Sequence, residues 1–239
     1  MAETLMPAAR PVVVYGNGAM ARVLHAFAAQ ALPIAGFTVD AACFPLGEFA
    51  FQGLPLVSFE AVASRFPPDR FDALVAVGFA GMNDLRRARH EALAAMGYRF
   101  ASYVHPSVLR HPGVVIEDGC IIYDHVALHP GTRVERGSFI ASNASLGHDC
   151  TVGAFGWINS GVALAGGVQV GEQAFFGVNA SVADGVRLGA RSYVGAGTLV
   201  VRDTADDSVT IAPAGEAFPV ASRSFLKFIA RRSGAKASP

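Results

Sequence analysis

The chain has 239 residues, of which 52% are hydrophobic, and its 19 acidic residues balance 19 basic ones. This composition excludes a disordered chain and provides no overall positive field for nucleic acid. No apolar run approaches the roughly 18 residues of a membrane-spanning helix, and no signal-peptide segment precedes the first charged residues, so we expect a cytoplasmic protein without membrane insertion. The three cysteines form neither a C-x-x-C motif nor a cluster with histidine, which favours core positions and predicts no metal site.

A strand, a glycine turn and a helix come first along the chain. The β-branched run 11–15 precedes Gly16-Asn17-Gly18, and a helix is predicted over 22–31. Glycines let a backbone approach a phosphate closely, and a helix N-terminus presents free N–H groups, so this order is typical of a nucleotide-binding unit. Ala21 replaces the third glycine of that motif. A plain tight turn between strand and helix is therefore the alternative.

Alternating strands and helices continue to about residue 104. Asp40 follows the second strand, 22 residues after Gly18, where dinucleotide-binding domains carry a ribose-binding acid. Together the elements predict a small parallel α/β domain over 1–104. The predicted strands are 33–39, 73–77, 98–104 and, at most as an edge strand because of Pro55, 54–57; the predicted helices are 59–65 and 84–96.

The stretch 114–201 carries an apolar residue at every sixth position, and a small residue often lies two positions before it. A helix repeats at 3.6 residues and a strand at 2, so a period of six predicts short strands joined by turns in a hexapeptide parallel β-helix. Three hexapeptides for each coil give about five coils. The apolar positions are Ile116, Ile122, Leu128, Val134, Ile140, Leu146, Val152, Ile158, Leu164, Val170, Phe176, Val182, Leu188, Val194 and Val200.

The six-residue register ends after Asp203. A last strand over 209–211 and an amphipathic helix over 225–232 follow it in the sequence. We therefore predict a β-helix domain over 105–219 and a C-terminal helix and tail over 220–239.

Inward positions of a β-helix are apolar, which leaves the turns and outer faces for chemistry. His148 stands in a turn, two residues after inward Leu146, and Asp149 follows it. A neutral imidazole accepts a proton from an amine or hydroxyl, and an adjacent carboxylate fixes its tautomer. A general base and an ordinary exposed histidine both fit this local sequence.

The order of the two domains and the run Ser-Leu-Gly-His-Asp-Cys-Thr-Val-Gly over 145–153 resemble the bacterial sugar acetyltransferases. Members of that family include sialic acid O-acetyltransferase and the bacillosamine and perosamine N-acetyltransferases. The run 164–172 supports the same resemblance, which spans about 11–219. It implies a left-handed β-helix and a homotrimer with active sites between subunits that bind acetyl-CoA or another acyl-CoA. The sequence contains no nucleophile elbow of the G-x-S-x-G type, which favours direct attack of the acceptor on the thioester.

The resemblance also implies a role for individual residues. His148 is the general base and Asp149 orients it. The acyl-CoA contacts small-residue turns and, through its phosphates, Arg202; the acceptor's nucleotide lies on the first glycine turn. The implied acyl-CoA positions are Ala165, Gly166, Val178, Ala183, Gly195, Ala196 and Arg202, and the implied acceptor positions are Gly16, Asn17, Gly18, Asp40, Asn83 and Arg86.

Trp157 stands where relatives commonly carry a second histidine followed by I-x-P. It is predicted either to line the acyl or sugar pocket or to be buried by trimerisation. Phe155, Trp157, Phe175 and Tyr193 would be exposed to water on the outer face of an isolated prism, which predicts association with further copies of the chain.

The leading prediction is an acyl-CoA-dependent acyltransferase acting on the amine of a nucleotide-linked amino sugar, in glycan biosynthesis. O-transfer to a free or lipid-linked sugar and transfer to a non-sugar amine are alternatives. A non-catalytic β-helix scaffold and a metal-dependent β-helix protein belong to a different class. The metal version needs three clustered histidines, and the other histidines near the repeat precede the coil that carries His148; these are His105, His111, His125 and His129.

Overall fold

The computed structural model describes residues 10–28, 31–44 and 49–232. Its first part is an α/β unit. The elements of this unit are β1 (Val12–Tyr15), α1 (Ala19–Ala28), β2 (Ile34–Val39), β3 (Ala50–Phe51), β4 (Leu54–Ser58), α2 (Val62–Arg65), β5 (Asp72–Val75) and α3 (Asp84–Ala95). The strands form one sheet in the order β3-β4-β2-β1-β5, parallel except for β3 against β4. The strand order reverses at β1, which creates a crevice at the carboxyl ends of β1 and β5.

Two predictions about this unit are wrong. The run 98–104 adds no strand to this sheet, because Phe100 makes only an isolated bridge to Ala73, and Tyr103–Val104 forms a two-residue strand of the β-helix instead. The run 54–57 is not an edge strand, because β3 pairs along its outer side and itself forms the edge.

The second part consists of two-residue strands that recur every six residues. Residues 18 apart pair, as Ser145 does with Ala163, so three hexapeptides close one coil and the coils stack into a three-sided prism. This confirms the hexapeptide β-helix. The first face carries β7 (Leu109–Arg110), β10 (Ala127–Leu128), β13 (Ser145–Leu146), β16 (Ala163–Leu164), β19 (Ser181–Val182) and β22 (Leu199–Val200). The second face carries β8 (Val115–Ile116), β11 (Arg133–Val134), β14 (Thr151–Val152), β17 (Gln169–Val170) and β20 (Arg187–Leu188). The third face carries β6 (Tyr103–Val104), β9 (Ile121–Ile122), β12 (Phe139–Ile140), β15 (Trp157–Ile158), β18 (Phe175–Phe176), β21 (Tyr193–Val194) and β23 (Val209–Thr210).

The interior of the prism follows the predicted register. Every inward position from Ile122 to Val200 is at most 4% exposed, and only Ile116, in the first coil, is half-buried. Cys120 and Cys150 point inward as predicted, and burial raises the pKa of the Cys120 thiol to about 12. Glycine after an inward residue is explained by close stacking, since a Cβ at Gly147 would lie 2.7 Å from the Ala165 carbonyl carbon of the next coil.

The α/β unit packs on the third face. Trp157 and Phe175 are 6% and 5% exposed, because Phe79 lies against both rings at centroid distances of 5.5 and 4.4 Å. The prediction that these outer aromatics are exposed to water on an isolated prism is therefore wrong, and they no longer argue for association. The face carries an outward column of apolar residues 18 apart: Tyr103, Ile121, Phe139, Trp157, Phe175 and Tyr193.

The last coil is shorter, since β23 pairs with β21 at a separation of 16 residues. An exposed segment then leads to α4 (Ser222–Arg232), which begins three residues earlier than predicted. None of the helices within the described ranges is long and apolar enough to cross a membrane. The rest of the predicted C-terminal tail, 233–239, lies outside the described residues.

Candidate active site

His148 lies in the turn after β13, on the corner between the first and second faces, hereafter the first corner. Its side chain is 66% exposed, and Nδ1 lies 2.9 Å from Oδ2 of Asp149. When the Nδ1–H group donates a hydrogen bond to that carboxylate, Nε2 is unprotonated and its lone pair can accept a proton. Asp149 adopts a left-handed conformation with φ of 56°, which a short polar side chain tolerates.

Two glycines of neighbouring coils make room for this pair. A Cβ at Gly166 would clash with Nε2 of His148, and a Cβ at Gly131 would clash with Oδ1 of Asp149. The imidazole thus lies directly over the backbone of the next coil. Its position depends on glycine at 166.

A second histidine–aspartate pair occurs in the turn after β9. His125 is also 66% exposed, and its Nδ1 lies 3.2 Å from Oδ2 of Asp124. The Ser142 hydroxyl donates to the other oxygen of Asp124 and holds the pKa of that carboxyl below its usual value. Exposure and a nearby carboxylate therefore do not by themselves distinguish His148 as a base.

The implied acyl-CoA positions fall on two different corners of the prism. His148, Gly166 and Arg202 are multiples of 18 apart, so they occupy the same place in different coils. Stacked coils are about 4.8 Å apart, which puts Arg202 about 14 Å from His148 along the first corner. Ala165 and Ala183 also lie on the first corner, whereas Val178, Gly195 and Ala196 lie on the corner that follows the third face.

Arg202 is exposed beside an open cavity at the C-terminal end of the prism. The cavity has a volume of about 350 Å³ and is also lined by Leu199 and Thr210. A guanidinium in this place is suited to a phosphate group.

A pocket of about 350 Å³ opens at the carboxyl ends of β1 and β5. Gly16, Asn17 and Gly18 all line it, as the resemblance implied for the acceptor. Gly16 has φ of 129°, and a Cβ there would lie 2.5 Å from the Ala76 carbonyl oxygen, so a side chain is excluded. A Cβ at Gly18 would meet no described atom within 4 Å, which leaves this backbone open to a ligand at the start of α1.

Asp40 follows Val39, which lines this pocket, but Asp40 is not itself a lining residue; a basic residue of α3 holds its carboxylate. Nη2 of Arg89 donates to Oδ2 of Asp40 over 2.7 Å, and Nε of Arg89 donates to the Tyr15 hydroxyl over 3.2 Å. Burial, helped by Asp40, raises the pKa of Tyr15 to about 12, so the phenol that lines the pocket stays neutral.

Asn83 and Arg86 do not line this pocket; they lie in the interface with the third face. Arg86 is 3% exposed, and its Nη2 donates to the carbonyl oxygen of Phe155 over 2.6 Å and to Oδ1 of Asn83 over 3.0 Å. Its guanidinium carbon lies 5.0 Å from the Trp157 ring, and burial lowers the pKa of Arg86 to about 9. Asn83 donates to the carbonyl oxygen of Gln173 over 3.1 Å. These contacts hold the α/β unit on the prism and bury Trp157 within its own chain.

The described residues contain no group of three histidine, cysteine, aspartate or glutamate side chains arranged to hold a metal ion. His111 and His129 stack at a centroid distance of 5.2 Å, one coil apart.

Comparisons with known proteins agree with this architecture. A family model described as the hexapeptide repeat of succinyl-transferase matches residues 167–202. A variant of perosamine N-acetyltransferase from Caulobacter crescentus, solved with CoA and GDP-perosamine, is 31% identical, with 84% of this chain and 93% of that chain covered and a TM-score of 0.76. The acetyltransferase domain of PglB from Neisseria gonorrhoeae, solved with acetyl coenzyme A, is 25% identical, with 88% and 100% covered and a TM-score of 0.76.

WeeI from Acinetobacter baumannii shares the fold at 17% identity and a TM-score of 0.51, with 84% of this chain and 96% of that chain covered. A search of curated protein sequences finds no significant match.

Proposed function

The chain belongs to the bacterial sugar acetyltransferases that join an α/β domain to a left-handed parallel β-helix, and we propose that it acetylates the amine of a nucleotide-linked amino sugar. It is an acyl-CoA-dependent acetyltransferase with acetyl-CoA as co-substrate. The acceptor is inferred from two findings: the relative from Caulobacter crescentus holds GDP-perosamine, and the glycine turn of this chain borders an open pocket.

His148 acts as the general base in this proposal. The acceptor amine attacks the thioester carbonyl carbon, a C–N bond forms, and His148 takes the amine proton at Nε2. The C–S bond then breaks, and the proton passes to the departing CoA thiolate. Asp149 keeps the imidazole in the tautomer that this step needs, which its 2.9 Å contact with Nδ1 supports. Backbone N–H groups in the turns stabilise the oxyanion. The exposed position of this pair over Gly166 is the observation that carries the mechanism.

We also propose a trimer, and the places of the implied acyl-CoA positions support it. One corner of the prism carries His148 and Arg202, and another carries Val178 and Ala196. One elongated CoA meets both sets when the first corner of one subunit faces the other corner of its neighbour. Val178, Leu199 and Val201 are 48%, 62% and 58% exposed, as residues at such a contact would be in a lone subunit. A role in glycan biosynthesis and a cytoplasmic location stay predictions.

The proposal is tested by acceptor choice. Purified protein is incubated with acetyl-CoA and GDP-perosamine, and release of the free CoA thiol is followed. Matched reactions contain GDP alone, the free amino sugar, or the same nucleotide sugar with a hydroxyl in place of the amine. We expect thiol release with an amine-bearing nucleotide sugar and at least about tenfold less in each matched reaction. Equal or faster transfer to the hydroxyl analogue or to the free sugar would overturn the proposed acceptor.

A further inference from the structure

The helix α4 has two chemically different sides. Leu226 is 64% exposed and Phe225 is 36% exposed. Residues three and four apart share one side of a helix, so these two lie on the same side as Phe228 and Ile229. Arg223 and Lys227, also four apart and exposed, lie on the opposite side. The sequence continues that interval with Arg231.

Charge is divided unevenly between the segment after Glu216, which contains this helix, and the rest of the chain. Glu216 is the last acidic residue. Five of the 19 basic residues come after it, leaving 14 basic residues against all 19 acidic ones before. The C-terminal segment therefore carries five positive charges, and the remainder has a net charge of −5. The positive charge after Glu216 sits at Arg223, Lys227, Arg231, Arg232 and Lys236.

The segment that joins the prism to α4 is long enough for the helix to contact a separate surface. Residues 212–221 are all exposed, and ten residues span up to about 33 Å when extended. Phe218 of this connection lies 5.1 Å from the Phe225 ring and extends the apolar side of the helix. Phe218 is itself 65% exposed.

We propose that α4 binds the surface of a membrane that contains anionic phospholipids. A short helix with Phe, Leu and Ile on one side and Arg and Lys on the other lies in the plane of a bilayer interface, with its apolar side among the acyl chains and its basic side at the phosphates. An anionic lipid layer complements both sides at once. If α4 instead bound a second copy of the chain, that copy would need an acidic groove with an apolar floor to complement both sides. The helix anchors the enzyme at the surface without crossing the bilayer.

The test is co-sedimentation of the full chain with lipid vesicles. One preparation is phosphatidylcholine alone, and the other contains about 30% phosphatidylglycerol, each at low and high salt. We expect binding to the anionic vesicles that weakens at high salt. Leu226→Ser removes apolar contact and Lys227→Glu reverses a charge, so each weakens binding about tenfold. Leu109→Ser is the matched control, because Leu109 is a 56% exposed leucine on the prism and its loss leaves binding unchanged.

Two outcomes would overturn the proposal. One is a wild-type chain that stays in the supernatant with anionic vesicles, or that binds neutral vesicles equally well. The other is a chain truncated after Ala221 that loses its oligomeric state in analytical ultracentrifugation while the intact chain ignores vesicles, which would make a second copy the occupant. Thiol release from acetyl-CoA, measured without vesicles, shows that each variant is folded and is expected to be unchanged.

Discussion

At the scale of single residues, the proposed mechanism depends on what surrounds the His148 imidazole. His125 and His148 are equally exposed, and each has an aspartate carboxylate beside Nδ1. Only His148 lies on the first corner, above Gly166 and in line with Arg202. His125 lies on the other corner, the one that carries Val178 and Ala196, so the two histidines differ in the residues that stack beside each ring.

Replacement of Gly166 tests whether the position of the imidazole matters. Gly166→Ala places a methyl group against Nε2 of His148 and pushes the ring away. A displacement of about 1 Å at a reacting group costs about 10- to 100-fold in rate, so we expect kcat for acetyl transfer to fall by that amount. The melting temperature should change little, because a side chain and not backbone must move.

Gly215→Ala is the control, since a Cβ there meets no described atom within 4 Å. If Gly166→Ala retained the wild-type kcat, the ring would not act from the place where the structure puts it.

At the scale of elements, the interface between α3 and the prism is built around buried polar groups. Arg86 gives hydrogen bonds to backbone carbonyl groups, and its Nε and Nη1 find no hydrogen-bond partner within the described chain. His90 stacks on Phe100 at 3.6 Å and meets the edge of Phe155, which has φ of 58°. The left-handed conformation recurs every six residues in the turns of the prism, as at Asn143 and Asp149, so Phe155 places a bulky side chain at a position that favours small or polar residues.

His90 makes this interface sensitive to acid. Burial, assisted by Arg136 and opposed by Glu91, lowers the pKa of His90 from 6.5 to about 4. The unfolded chain thus takes up a proton at a higher pH than the folded chain does. Stability from this group is full above pH 6.5 and is lost as the pH falls toward 4, by about 2 kcal/mol between pH 6.5 and 5.

Urea unfolding at these two pH values measures the effect, with fluorescence of Trp157 as the reporter, since this single tryptophan lies in the same interface. His90→Phe keeps a ring on Phe100 without a titrating group, so we expect it to lose about 2 kcal/mol less than the wild type on acidification. His125→Phe, at an exposed site, should behave as the wild type does. Parallel losses in all three chains would exclude His90 as the source.

The elements of the prism could be predicted well because their signal is local. Each hexapeptide repeats the same inward residue, and the structure buries that residue from Ile122 to Val200. The docking of the α/β unit was missed because it depends on which of three outer faces is covered. A column of large apolar residues at intervals of 18, from Tyr103 to Tyr193, marks the covered face and could have been read from the sequence.

The residues predicted to bind the acceptor lie in two different places in the structure. The resemblance implied the glycine turn at Gly16, and the structure opens a pocket there. Asn83 and Arg86 follow the pocket-lining segment in the sequence but turn toward the prism. Proximity along the chain cannot reveal this, because a polar side chain at the start of a helix fits either a ligand or a buried carbonyl group.

At the scale of the whole molecule, each of the two parts carries one half of the proposed site. The α/β unit presents a pocket at the carboxyl ends of its strands, and the prism presents a histidine–aspartate pair on one corner. The positions that the resemblance implies for acyl-CoA lie on two corners of the prism, which a single subunit does not bring together. The proposed trimer unites them, and α4 would place that assembly at a membrane surface.

The central claim is that His148 removes the proton from the acceptor during acetyl transfer. The most direct measurement compares kcat for thiol release in His148→Asn and His125→Asn, with acetyl-CoA binding followed by calorimetry. We expect kcat to fall about 10²- to 10⁴-fold in His148→Asn with acetyl-CoA still bound, and to remain at the wild-type value in His125→Asn. A His148→Asn chain within a few-fold of the wild type, or an equal loss in both variants, would contradict the account.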